Sequence, residues 1–225
     1  AGEIILPVLA IAAALHFGFH QLGHDPLPDR TLKVTLIQPS IPQTLIWDTS
    51  RDLERFRDVL RLSEQALTNR TDLLIWPESA IPSYARWDTN IYPALTNLVR
   101  QHHVWLIIGS DDAARPAHPA SDNDIEFYNA SFLVSPDGEF VARYIKRNLV
   151  VFGEYIPLVR WLPFLKWFTP IGGGFTAGDR PVPFTLTGPR AKTSTLICVE
   201  DIFPLTARDA VPEDTDVLVS LPNAG

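Results

Sequence analysis

Three side chains with complementary chemistry each close an apolar run of this chain: Glu78 after "LLIWP", Lys146 after "EFVARYI" and Cys198 after "STLI". A carboxylate where a half-buried strand ends is placed to act as a general base near neutral pH. A cysteine at a strand-to-helix junction gains thiolate character from the helix N-terminus. Glu200 and Asp201 oppose that, so a cation has to offset them. Lys146 is the candidate, because an ammonium can stabilise both a thiolate and the oxyanion of an acyl-transfer intermediate. Glu154, further on in "VFGEYIP", is placed to hold that lysine or a substrate amine.

Singly, each residue has a commoner use: Glu78 as the first solvated residue after a strand, Lys146 and Arg147 as a solvated basic pair, Cys198 as a small buried hydrophobe. Together they supply a base, an oxyanion stabiliser and a nucleophile, the set that covalent acyl chemistry requires.

The elements that must position these groups follow from periodicity. "LKVTLIQ" (32–38), "DLLIWP" (72–77) and "VWLIIGS" (104–110) read as strands, the last two apolar enough to be buried on both faces. Between them, 50–67 places Leu53, Phe56, Leu60 and Leu67 on one helical face, with Ser50 as N-cap, and 91–103 forms a second helix. Hairpin-like pairs follow: 127–135 with 139–146 around Pro136-Asp137-Gly138, and 182–187 with 192–198 around Gly188-Pro189. A short helix at 202–211 and a strand at 216–222 complete the pattern. Helices that alternate with buried strands early, then hairpins, predict a mixed sheet covered by helices, in the α/β class.

Bulk properties narrow the function. A net charge of −7 and the absence of a basic stripe exclude a phosphate-backbone partner, so nucleic-acid binding is not expected. With a single cysteine, neither an intrachain disulfide nor a cysteine-based zinc site can form. At 225 residues the chain can bury the core of one large domain. The run at 4–19, "IILPVLAIAAALHFGF", differs from the rest and falls short of the roughly 20 residues that cross a bilayer. With the polar segment 21–30 after it, it reads as the end of a transmembrane helix, and a buried core helix is the alternative. The organisation expected is thus a membrane helix end over 1–22, a linker over 23–31 and one catalytic domain over 32–225.

The order Glu, Lys, Cys with these flanks resembles the carbon–nitrogen hydrolase (nitrilase) superfamily, and within it the apolipoprotein N-acyltransferases. The likeness is carried by "QPSIPQTLIWD" (38–48), "LLIWPESAIP" (73–82), "YNASFLVSPDGEFVARYIKRNLVVFGEYIP" (128–157), "FTAGDRPVPF" (175–184) and "LICVEDIFP" (196–204). It implies Glu78 as general base, Lys146 as oxyanion stabiliser and Cys198 as nucleophile. Glu154, Glu200, Trp47 and Tyr155 become accessory or substrate-binding residues, with no metal and no cofactor. The implied fold is a nitrilase-like αββα sandwich, with its C-terminal part and most membrane helices absent from this chain.

The implied partners are a phospholipid acyl donor, a diacylglyceryl apolipoprotein acceptor and the bacterial inner membrane, with the catalytic domain on its periplasmic side. Val199, Asn148 and Val151 depart from the family pattern, which usually has an aromatic, His and Pro there; none of these is a triad position. A soluble amidase acting on a small amide shares the triad, and a silent domain that binds lipid or lipoprotein is a third reading. The segment 158–175, with Trp161, Phe164, Trp167 and Phe168 among Arg160 and Lys166, suits either a lid at a membrane interface or an amphipathic helix packed on the domain.

Overall fold

A computed structural model describes residues 2–22, 31–41, 49–81, 83–116, 124–159, 161–162, 164–165 and 174–222. The chain divides into two units, Ala1–Thr31 and Leu32–Gly225. The first holds helix α1 (Gly2–Leu22), which runs past the apolar stretch through His20 and Gln21. Its Ile4–Leu22 portion is long and apolar enough to cross a membrane. Pro7 lies inside it, where its missing N–H removes one helical hydrogen bond.

The second unit is built on two sheets. β1 (Val34–Leu36), β2 (Leu73–Ile75), β3 (Trp105–Ala114), β4 (Glu126–Val134) and β5 (Phe140–Ile145) lie side by side in chain order. The first three strands run parallel and the β3–β4–β5 part is antiparallel. β6 (Phe184–Leu186), β7 (Ala191–Ile197) and β8 (Val217–Leu221) form the second sheet, with β7 parallel to β8. Helix α2 (Asp52–Ala66) joins β1 to β2, and α3 (Ile91–His102) joins β2 to β3, as parallel neighbours require. A 3-10 turn (Cys198–Ile202) and α4 (Pro204–Ala210) join β7 to β8.

Side-chain alternation explains why the central strands are apolar throughout. Leu73, Ile75, Trp105, Ile107 and Leu133 pack with Phe184, Leu186, Ile197, Val219 and Leu221 of the second sheet. Their neighbours Leu74, Trp76, Leu106, Ile108, Phe132 and Val134 pack instead with Phe56, Val59, Leu95 and Val99 of α2 and α3. One face of these central strands therefore meets a sheet and the other meets helices, which leaves neither for water.

Several expectations change in detail. Leu53 is 50% exposed, and the buried face of α2 runs through Phe56, Val59 and Ser63. Ser63 belongs to that face because Trp76 Nε1 donates to its Oγ at 2.9 Å while the hydroxyl itself donates to the Val59 carbonyl. The cap of α2 is Arg51, without a side-chain hydrogen bond, because Ser50 lies inside a preceding 3-10 turn (Thr49–Arg51). β3 continues to Ala114, four residues past Ser110, because antiparallel pairing with β4 carries it through Asp111 and Asp112.

Candidate active site

Each sheet delivers reactive groups at the end of a strand. Beyond β2, Trp76 is fully buried and Pro77 offers no N–H to the ladder, so the chain leaves the sheet at Glu78. The Glu78 N–H donates to the Pro222 carbonyl just past β8 (3.2 Å), which ties this turn to the second sheet. Gly109 of β3 lies directly beneath. A Cβ there would meet the Glu78 Cα at 2.7 Å and the Pro77 carbonyl oxygen at 2.8 Å, so only glycine allows this approach.

Lys146 continues the β4–β5 ladder by donating its N–H to the Asn129 carbonyl (2.9 Å). The chain then folds back over Val150–Tyr155, where the Glu154 N–H donates to the Val150 carbonyl and Glu154 Oε2 accepts the Val150 N–H, both at 2.8 Å. That fold returns Glu154 Oε1 to the Lys146 ammonium at 2.9 Å. The segment Leu149–Phe152 is therefore the body of a loop whose two ends meet at the lysine–carboxylate pair.

Three buried side chains and the partly buried Glu154 close into a ring. Lys146 Nζ, with no exposed surface, donates to Glu78 Oε1 (3.3 Å) and Glu154 Oε1 (2.9 Å). Asn129 Nδ2 donates to the same two oxygens at 2.8 and 2.7 Å. An unpaired ammonium this deep would be strongly disfavoured, and two carboxylates satisfy it. Burial alone would lower the Lys146 pKa, but Glu154 and Glu78 outweigh it and raise it, so the group stays an ammonium.

Cys198 follows β7 with φ +52°, left-handed backbone that a non-glycine residue adopts at a cost of about 1–3 kcal/mol. Burial pushes its thiol pKa up, and the Glu78 carboxylate pushes it further by charge and as a hydrogen-bond acceptor. Lys146 and the Val199 N–H pull the other way without prevailing. The resting group is thus a thiol beside a carboxylate that can take its proton. A helix N-terminus and a compensating cation were expected to favour the thiolate; burial and Glu78 outweigh them.

Glu200 does a different job from the one expected of its charge. It is fully buried and accepts from Tyr144 Oη (2.9 Å), from the N–H groups of Arg147 (2.7 Å) and Asn148 (3.1 Å), and from the Ile197 N–H (2.8 Å). Its carboxylate ties the turn that carries Lys146 to the turn that carries Cys198. Asp201 accepts from Ser220 at 3.0 Å. The negative charge that raises the thiol pKa is Glu78, not these two.

The structure therefore brings Glu78, Lys146, Glu154 and Cys198 together. Tyr155 is partly buried and enters through its backbone, its carbonyl accepting the Phe152 N–H at 2.8 Å. Trp47 lies outside the described residues, as does most of 158–175 with Arg160, Lys166, Trp167 and Phe168. The described part of that segment forms tight turns, with Leu158, Trp161, Leu162 and Phe164 exposed. Sequence reasoning misses Asn129, which joins Glu78 to Glu154. The signal was there: an amide inside an otherwise apolar strand has to find partners. Among the described residues, no His, Cys, Asp and Glu side chains are grouped to hold a metal ion.

Comparison with known proteins agrees with this architecture. The sequence model of the carbon-nitrogen hydrolase family matches residues 33–224. An apolipoprotein N-acyltransferase of Geobacter metallireducens is 32% identical over 222 residues, covering 98% of this chain and 41% of the relative. One from Vibrio vulnificus is 30% identical, covering 88% of this chain and 38% of the relative. The chain thus spans about two fifths of the length of these relatives.

Among solved structures, a carbon-nitrogen hydrolase from Helicobacter pylori superposes with a TM-score of 0.57 at 16% identity, covering 85% of this chain and 59% of that one. An amidase from a Nesterenkonia species, covalently modified at its active-site cysteine by the acetamide moiety of fluoroacetamide, gives 0.55 at 16% identity, covering 88% and 68%. Both establish the nitrilase-like fold.

Proposed function

The chain belongs to the carbon–nitrogen hydrolase family, and on that premise we propose that its whole protein transfers an acyl chain from a phospholipid, through a thioester on Cys198, to the N-terminal amino group of a diacylglyceryl-cysteine apolipoprotein. The observation that carries this reading is the fully buried Lys146 ammonium, held by Glu78 and Glu154 and acting electrostatically on the Cys198 thiol. The names of its 30–32% identical relatives support the choice of donor and acceptor.

In the first half-reaction Glu78 takes the thiol proton and the sulfur attacks the ester carbonyl of the phospholipid. Lys146 Nζ and the Val199 N–H, which both favour the thiolate, stabilise the tetrahedral oxyanion. The C–O ester bond breaks, the lysophospholipid oxygen takes the proton from Glu78, and the acyl group remains on sulfur. In the second half-reaction the acceptor amine attacks the thioester, Glu78 takes the amine proton, the C–S bond breaks to give the amide, and the departing sulfur takes that proton from Glu78 to restore the thiol. Such a double displacement gives ping-pong kinetics.

Glu154 keeps the ammonium fixed between the two carboxylates in both halves. The apolar α1 would hold the catalytic unit at the membrane that supplies its donor, on the periplasmic face of the bacterial inner membrane.

Full-length protein in phospholipid vesicles with a diacylglyceryl-cysteine peptide is expected to yield the N-acylated peptide, and Cys198→Ala to yield none. Release of ammonia from small amides without N-acylation would replace this reading with that of an amidase.

A further inference from the structure

Asn129 stands at the centre of the site with only one end accounted for. Both Nδ2 hydrogens are committed, to Glu78 and to Glu154, and this fixes which way the amide faces. Its Oδ1 is buried and has no hydrogen-bond partner among the described residues, and the residue is only 4% exposed. A buried amide oxygen at such a position calls for a donor.

The residue directly across the ladder is Asp111 of β3, the Cα partner of Asn129 on β4. Side chains so opposed stand on one face with Cβ atoms about 5 Å apart. Asp112, the next residue, faces the other way and is paired with Arg86 and Arg143. The charged and titratable groups around Asp111 are Glu78 beyond β2, Glu154 beyond β5 with its partner Lys146, and Tyr84 of the segment before α3, whose pKa burial and then Asp111 raise. An ionised Asp111 would set a third negative charge beside two carboxylates that share one ammonium, and would face Asn129 Oδ1 with a second acceptor. The neutral acid removes both conflicts, since its O–H is a donor.

We propose that Asp111 is a positioning residue that works as the carboxylic acid, donating its O–H to Asn129 Oδ1 and so locking the amide in the orientation that bridges Glu78 and Glu154. The proposal rests on Glu78 and Lys146 serving the acyl transfer set out above, and it adds a proton to that site. Burial, then Glu78 and Glu154, push the Asp111 pKa up to about 6, in keeping with a carboxyl built to hold one. As Asp111 ionises, the amide loses its support and the two carboxylates lose their fixed positions.

The test compares full-length wild type, Asp111→Asn and Asp111→Val in two readouts. Asparagine supplies a permanent N–H donor at the same place, whereas valine supplies none. In acyl transfer, the ratio of the Asp111→Asn rate to the wild-type rate is expected to rise at least about threefold between about pH 5.5 and about pH 7.5, with Asp111→Val slow throughout. In thermal unfolding, a carboxyl whose folded pKa lies above its unfolded value makes the fold less stable as pH rises from about 4 through about 6, and the loss then stays constant. Wild type should show that fall and Asp111→Asn should lack it.

Overlapping stability curves for wild type and Asp111→Asn, a rate ratio flat with pH, or an Asp111→Asn protein that does not fold would each overturn the proposal. If no variant transfers acyl chains, the functional reading fails, and the unfolding curves still decide whether Asp111 holds the proton.

Discussion

Replacing Glu200 by glutamine tests whether this carboxylate is a structural tie. The change preserves shape and removes charge. With its oxygen at Oε1, the amide still accepts from Tyr144 and from the N–H groups of Arg147 and Asn148, but its NH2 then faces the Ile197 N–H. Stranding that donor costs about 1–3 kcal/mol, and three charge-assisted bonds reduced to neutral strength cost roughly 0.5–1 kcal/mol each. Relief of the buried charge returns part of this, leaving a net loss of about 2–4 kcal/mol. For a unit of this size, that lowers Tm by roughly 5–15 °C. The assay is thermal unfolding of the full-length protein in detergent, followed by tryptophan fluorescence. A Tm unchanged within about 1 °C, with acyl transfer nevertheless abolished, would refute the tether and place Glu200 in the chemistry.

The other predictions concern the same pocket. Gly109→Ala drives a methyl into the Glu78 Cα and the Pro77 carbonyl, backbone atoms that can give way only by displacing Glu78. A shift of the base approaching 1 Å is expected to lower kcat by about 100-fold in a protein that still folds, so near-normal kcat would contradict the close approach. The Cys198 thiol is held above its ordinary pKa by burial and Glu78 and eased down by Lys146, which makes opposite shifts testable. The pH midpoint of Cys198 alkylation by iodoacetamide should fall in Glu78→Gln and rise in Lys146→Met; equal midpoints in all three proteins would contradict this arrangement. Asn129→Leu removes one of the two donors that Glu78 and Glu154 share, leaving Lys146 alone, and is expected to cut acyl transfer at least about tenfold, with loss of stability of about 1–3 kcal/mol.

The sheets were legible because apolar runs such as "DLLIWP" and "VWLIIGS" admit only strands covered on both faces, and the observed cores divide residue by residue as that pattern requires. The ends of those strands were legible too, and chemistry collects at strand ends in α/β folds. Directions after the ends were not. Periodicity says nothing about where a side chain points once the chain leaves the sheet, so Glu200 could only be weighed by its charge, and its four donors come from segments far apart in sequence. Asp111 and Asn129 were hidden for a related reason. Their adjacency depends on β3 running beyond Ser110 into an acidic stretch, and the pairing partner β4 enforces that against local preference. Ser63 escapes periodicity in the same way: a hydroxyl takes an inward position on α2 because Trp76 donates to it there.

The most direct measurement of the central claim is mass spectrometry of the full-length protein after incubation with phospholipid and no acceptor. One acyl chain is expected on the peptide that contains Cys198, removed by neutral hydroxylamine and absent from Cys198→Ala. A protein that acylates acceptor peptides while Cys198 stays unmodified, or that carries its acyl group on another residue, would contradict it.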